Sequence, residues 1–204
     1  MRADGFQECI VTFIDLVGIK ELAKGGQGSA LMMEMHQQVK AQVQAGHLPS
    51  HPNAYLWNDS ILLLAYLNDE ESRSVQKNRI LREADNLRRK IDVDLELKSF
   101  GISVQGMAFP DNRISASVFT GKQAADQPDV VILKASSWAF ANCFEIEKSL
   151  RKHRAAWYID SRISEMLQTD EPIDKTASVK MLPEGKKRPV DMYKRYLWAG
   201  LYAN

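Results

Sequence analysis

Ile10-Val-Thr-Phe-Ile-Asp-Leu-Val-Gly-Ile19 is an apolar, β-rich run that delivers one carboxylate, Asp15, and then a glycine, Gly18. From Ile19 onward the chain reads as helix. A strand that ends on a carboxylate and turns at once into a helix N-terminus suits a metal ion beside a phosphate. The carboxylate ligates the cation, and the amides of the first helical turn point at the anion. An ordinary core strand whose aspartate caps the next helix gives the same pattern. On this stretch alone both readings stand.

A second stretch bears on the choice. Ala54-Tyr-Leu-Trp-Asn-Asp-Ser-Ile-Leu-Leu-Leu-Ala-Tyr66 consists of two β-rich runs flanking Asn58-Asp59, a pair that tolerates positive φ in a tight hairpin turn. The hairpin places Asp59 at its tip. If it pairs beside the first strand, Asp15 and Asp59 converge on one site. Two such carboxylates repel each other unless a divalent cation lies between them, and that arrangement serves two-metal phosphoryl transfer.

Phe13-x-Asp15-Leu-x-Gly18 and Asn58-Asp59-Ser60 resemble the two metal motifs of class III nucleotidyl cyclases, the adenylyl and guanylyl cyclase family. Their usual forms are Phe-x-Asp-(Ile/Leu)-x-Gly-Phe and Gly-Asp-Ser. A third segment, Ala139-Phe-Ala-Asn-Cys-Phe-Glu-Ile-Glu147, is similar to the family helix Ala-Val-Asn-x-Ala-x-Arg-Leu-Glu. The matched segments span most of the chain, although each is short.

With 204 residues the chain is long enough for one domain with a good-sized core, and we expect residues 1–204 to form it. Hydrophobic residues at 45% and charged residues at 26% are ordinary for a globular protein. A formal net charge of +1 without a basic stripe argues against a nucleic-acid partner. Cys9 and Cys143 lie in apolar surroundings and read as buried thiols of a reducing compartment. No apolar run has the length of a membrane span, and the first residues carry no signal-peptide core, so a cytoplasmic location without membrane contact is expected.

Along the chain, the first strand is expected over Glu8 to Asp15, with a short helix from near Gly18. Gly25-Gly-Gln-Gly28 lacks the Gly-Lys-Ser/Thr of a Walker loop and reads as a joint, with Ser29 capping the next helix. That helix extends to about Gly46 and carries Met32, Met35, Val39 and Val43 on one face. His36 falls within it and His47 at its end. His47 and His51 have a helical ligand spacing, but Pro49 breaks the register and argues against a metal pair. Asp69 to Lys90 predicts a long helix with Ile80, Ala84, Leu87 and Ile91 inward, and Arg79, Arg82, Arg88 and Arg89 on a solvated face.

A strand is expected over Leu95 to Met107, including Gly101-Ile-Ser-Val-Gln-Gly106; residues of about 109–135 are longer than the corresponding family segment. Ser115 to Phe119 suggests a strand there. Ser136 or Ser137 caps a helix to about Lys152, and a strand over Ala155 to Asp160 and a helix over Ser161 to Leu167 follow. Ala177 to Leu182 and Arg188 to Trp198 form a final hairpin. The order βααββαβ, then helix, strand, helix and hairpin, predicts an α+β fold: a ferredoxin-like antiparallel sheet with helices packed on it. The resemblance implies the same core.

The resemblance also implies roles. Asp15 and Asp59 would be the catalytic pair and hold two Mn2+ or Mg2+ ions, with the main-chain carbonyl of Leu16 completing one shell. The amides of Val17, Gly18 and Ile19 would face the phosphates. A symmetric homodimer would carry its sites at the interface, and a nucleoside triphosphate would be the substrate. The family reads the base four positions before the hairpin aspartate, with lysine in many adenylyl cyclases and glutamate in guanylyl cyclases. Here Tyr55 stands there. Its ring would fill the space beside a smaller base and its hydroxyl would meet a pyrimidine edge; a strand tyrosine packed in the sheet is the alternative. The second base-reading position falls near Lys134 to Ser137.

The helix match departs from the family, because Ala141 and Glu145 align with its catalytic Asn and Arg, and Asn142 is one step away. Either Arg113, Lys186 or Lys187 replaces the arginine, or the chain is an inactive cyclase fold. Lys186 and Lys187 precede the final strand, where the family keeps a triphosphate-binding lysine; a solvated turn is their ordinary explanation. A compact cyclase with both aspartates and a tyrosine at the base position resembles the pyrimidine cyclases of the Pycsar anti-phage systems. These make cyclic UMP or cyclic CMP, which switch on a separate effector. UTP is therefore the favoured substrate over CTP, with a purine cyclase or an inactive nucleotide-binding module as the alternatives.

Overall fold

The computed structural model describes residues 5–51, 53–108, 138–150, 157–164, 173–181 and 190–196. Strand β1 (Gln7–Val17) is an interior strand, third of seven in the sheet, and every residue from Cys9 to Leu16 is apolar or satisfied enough to be buried. It pairs antiparallel with β3 (Ser60–Tyr66) on one side and β4 (Lys98–Ala108) on the other. Strand β2 (Asn53–Trp57) closes the edge against β3. Beyond β4 come β5 (Trp157–Asp160), β7 (Val190–Tyr196) and β6 (Ile173–Met181), giving the order β2-β3-β1-β4-β5-β7-β6. Of these pairings only β4 with β5 is parallel. Helices α1 (Ile19–Lys24), α2 (Gly28–Gln44) and α3 (Arg73–Asp94) complete the βααββαβ unit, and α4 (Trp138–Leu150) and α5 (Ser161–Ser164) follow. The ferredoxin-like α+β architecture expected from the element order is the one observed.

The two faces of β1 belong to different cores. Ile10, Ile14 and Leu16 pack with Met35 and Val39 of α2 and with Ile80, Ala84, Leu87 and Ile91 of α3. Cys9, Val11 and Phe13 pack with Phe100, Ile102 and Val104 of β4 and with Ala139, Phe140, Cys143 and Ile146 of α4. Gly106 makes the second contact possible: a Cβ there would lie 2.7 Å from that of Ala139, so only a bare backbone lets α4 sit so near the strand. Both cysteines are buried free thiols, as expected, and burial pushes the Cys143 thiol well up.

Several local expectations need correction. Helix α2 starts at Gly28 with Gln27 at its N-cap, so Ser29 is no cap. On its inward face Met35 and Val39 are buried, but Val43 is 44% exposed. Helix α3 starts at Arg73 after the Ser72 cap, whose Oγ accepts from Val75 N, and continues to Asp94. Strand β4 starts at Lys98, since a turn through Glu96 at φ 53° intervenes.

The arginine face of α3 is not uniformly solvated. Arg88 is buried, lies 5.5 Å over the Trp157 ring, and donates to Asp85 Oδ1 from Nε (3.1 Å) and Nη2 (3.0 Å) and to Asp92 Oδ2 from Nη1 (2.9 Å). Arg89 Nε donates to Asp85 Oδ2 at 2.6 Å. Ser99 Oγ ties Asp92 to β4 at 2.5 Å, while burial holds the Asp92 carboxyl above its ordinary value. The segment of about 109–135, including Ser115 to Phe119, lies outside the described residues.

Candidate metal and nucleotide site

Asp15 stands near the end of β1, where the register sets it opposite Ser60, the first residue of β3. The Ser60 hydroxyl donates to Asp15 Oδ1 at 2.9 Å, and the carboxylate is buried, 6% exposed. The β2–β3 connection is the two-residue turn Asn58-Asp59, with Asn58 at φ 50°, as the Asn-Asp pair predicts. Leu16 N donates to the Asp59 carbonyl at 3.1 Å, so the β1–β3 pairing continues one step into the turn. Asp15 and Asp59 therefore occupy neighbouring positions at one end of the sheet, Asp59 half-buried. The other turn carbonyl, that of Asn58, accepts from His36 Nε2 of α2 at 3.0 Å.

Gly18 adopts φ 91° between β1 and α1, and its carbonyl accepts from the amides of Glu21 (3.0 Å) and Leu22 (3.3 Å). A side chain would strain this left-handed turn. Val17 is half-buried, Gly18 is exposed, and the Ile19 side chain joins the core on the α3 side.

Tyr55 sits on β2, opposite Leu62, and its ring meets Phe140 of α4 edge to face at 5.7 Å. Its hydroxyl is buried and has no hydrogen-bond partner among the described residues. Burial raises its pKa, so the group stays a neutral phenol. Phe140 went unnoticed in the sequence because α4 and β2 are far apart in the chain. Ala141, aligned with the family asparagine, is exposed on α4. Lys186 and Lys187, Arg113 and the Lys134 to Ser137 segment lie outside the described residues.

The donor set fits a hard divalent cation. It consists of two carboxylates, and among the described residues no group of three or more His, Cys, Asp and Glu could hold a metal ion without further ligands. Mg2+ and Mn2+ favour such sparse oxygen sites, keeping waters and taking phosphate oxygens as further ligands. In the α2–β2 loop, His47 Nδ1 meets Gln42 at 2.8 Å and His51 Nδ1 meets Glu83 at 3.1 Å. No described helix is long and apolar enough to cross a membrane.

No protein-family model matches the sequence, and no curated protein matches it either. Solved structures do. The adenylyl cyclase CyaB from P. aeruginosa superposes with a TM-score of 0.56 at 12% identity, covering 93% of this chain and 94% of that one. The guanylyl cyclase Cya2 gives 0.56 at 12% identity, covering 93% and 92%. The catalytic core of a rhodopsin-guanylyl cyclase of converted specificity, in complex with ATPαS, gives 0.56 at 7% identity, covering 94% and 96%. At such identities the likeness is one of fold. The chain has the fold of adenylyl and guanylyl cyclase domains.

Proposed function

We propose that this protein is a metal-dependent pyrimidine nucleotide cyclase. It would convert UTP, ahead of CTP, to the 3′,5′-cyclic monophosphate and pyrophosphate. The observation that carries this reading is the placement of Asp15 and Asp59 at neighbouring backbone positions at the end of β1, on a fold shared with nucleotidyl cyclases. Asp15, Asp59 and the Leu16 carbonyl would hold two Mn2+ or Mg2+ ions. Bound there, divalent cations acidify the ribose 3′-hydroxyl and offset charge on the departing pyrophosphate.

The protein's own share is positioning. Ser60 fixes the rotamer of Asp15 through its hydrogen bond, and the Leu16 amide holds the Asp59 backbone. The amides of Val17, Gly18 and Ile19 would face the phosphates, where backbone N–H groups favour anions. Lys186 and Lys187 would add cationic charge at the triphosphate. No protein nucleophile is needed, since orientation and charge stabilisation carry phosphoryl transfer.

Base choice rests on Tyr55. A buried hydroxyl without a partner costs about 1–3 kcal/mol, and a base edge reaching it would remove that penalty. Its ring already fills the space beside Phe140, which favours a pyrimidine over a purine. The active form would be a cytoplasmic homodimer with its sites at the interface. Its product would be a second messenger for a separate effector in anti-phage defence, following the resemblance of the motifs. A purine substrate is the second reading, because the neighbours in fold are adenylyl and guanylyl cyclases. Incubating the purified protein with each of the four ribonucleoside triphosphates and Mn2+, then separating products chromatographically, tests both. Cyclic UMP or cyclic CMP supports the proposal; cyclic AMP or cyclic GMP replaces it with the purine reading. No cyclic product from any nucleotide reduces the protein to an inactive cyclase fold.

A further inference from the structure

We infer that His36 is the positioning residue of the hairpin that carries Asp59; the inference rests on the metal reading of Asp15 and Asp59. The turn Asn58-Asp59 projects from the sheet with only two residues, and both of its carbonyls are held from outside the hairpin. The Asp59 carbonyl accepts from Leu16 N of β1 at 3.1 Å, and the Asn58 carbonyl accepts from His36 Nε2 of α2 at 3.0 Å. A carbonyl only accepts, so Nε2 carries the proton and the tautomer is fixed by the contact.

The two bonds do different things. The one from Leu16 extends the ladder of β1 and sets how far the turn reaches along the sheet. The one from His36 comes from the helical layer and sets how the turn leans across it. Asn58 at φ 50° is in the left-handed conformation that asparagine tolerates in a tight turn, so the backbone there is unstrained and its lean is left to outside contacts. His36 makes that contact from a helix anchored by the buried Met35 and Val39, residues one before and three after it in the chain. A metal-ligating side chain on an otherwise free two-residue tip would sample several orientations. With the tip held from both sides, Asp59 is presented to Asp15 in one.

The test is metal affinity, read apart from turnover. Free Mn2+ is titrated by electron paramagnetic resonance against wild-type protein, His36→Leu and His36→Gln, with thermal midpoints measured in parallel. Glutamine keeps an N–H donor at similar reach and should bind Mn2+ within about twofold of wild type, whereas leucine should weaken binding roughly tenfold, as loss of a ligand-orienting partner does. Equal affinity for all three proteins overturns the role of His36 and leaves the metal site standing. Equal weakening in both variants, with a matching fall in midpoint, means general loosening of α2 and also overturns it. Wild-type protein that binds no Mn2+ removes the metal site itself, and this inference with it.

Discussion

The two faces of β1 treat polar groups differently. On the α3 side one set of buried polar groups answers itself, although His51 Nε2 and Gln38 Oε1 are buried without a described partner. Arg88 bridges Asp85 and Asp92 and lies on Trp157, whose Nε1 donates to Ser103 Oγ at 3.1 Å; that hydroxyl is 2.8 Å from Thr12 Oγ1. On the α4 side Asp15 accepts from Ser60 at the strand end, whereas the Tyr55 hydroxyl is buried beside an apolar cluster without a described partner. Self-satisfied polar networks hold a fold together, while an orphaned buried group calls for an explanation. On the proposed reading, the contrast separates Arg88, kept for architecture, from Tyr55, offered to chemistry.

The sharpest way to break that contrast is Asp59→Ala. On the proposed reading it lowers cyclase turnover by at least about a hundredfold, while the thermal midpoint stays near wild type, because the side chain is half-buried at a turn. Retained turnover would move Asp59 to the architectural class. Arg88→Leu should do the reverse. It strands buried carboxylates and lowers unfolding free energy in urea by about 3 kcal/mol or more. A loss under half that size would mean the network is solvated after all.

Two hydroxyl deletions sharpen the comparison further. Ser103→Ala leaves the Trp157 Nε1 proton without its acceptor and should destabilise by about 1–3 kcal/mol, whereas Tyr55→Phe removes a group with no partner among the described residues and should be neutral or slightly stabilising. The same Tyr55→Phe protein should show altered selection among nucleotides; unchanged selection would return Tyr55 to simple packing.

The smallest effect is expected from Glu83, which accepts from Ser50 N (2.9 Å), Ser50 Oγ (2.7 Å) and His51. Burial pushes its carboxyl up, but the hydrogen bonds from His51 and Ser50 outweigh this and leave it below the ordinary value. A folded pKa below the unfolded one gives stability that is present above the unfolded value and lost as pH falls through the folded one. Glu83→Gln should therefore flatten the acid limb of a plot of urea midpoint against pH. An unchanged limb would show that other carboxylates govern it.

Much of this was legible in the residues because it is local. The continuous apolar run of β1 announces a strand buried on both faces, and Asn58-Asp59 announces a tight turn at its own address. The order of elements then brings the two aspartates to one end of the sheet. What the pattern concealed was long-range. Arg88 looks like one of four surface arginines until Trp157, on a strand far along the chain, lies beneath it. His36 looks like any polar helix residue until α2 folds against the hairpin. Periodicity reports which face is apolar; it is silent about which charged side chain lies under a partner strand.

The bare stretch of β4 at Gly106 has one more consequence. Because the Ala139 side chain is seated on it, any larger residue at 106 would push α4 off the sheet and open the wall in which Phe140 meets Tyr55.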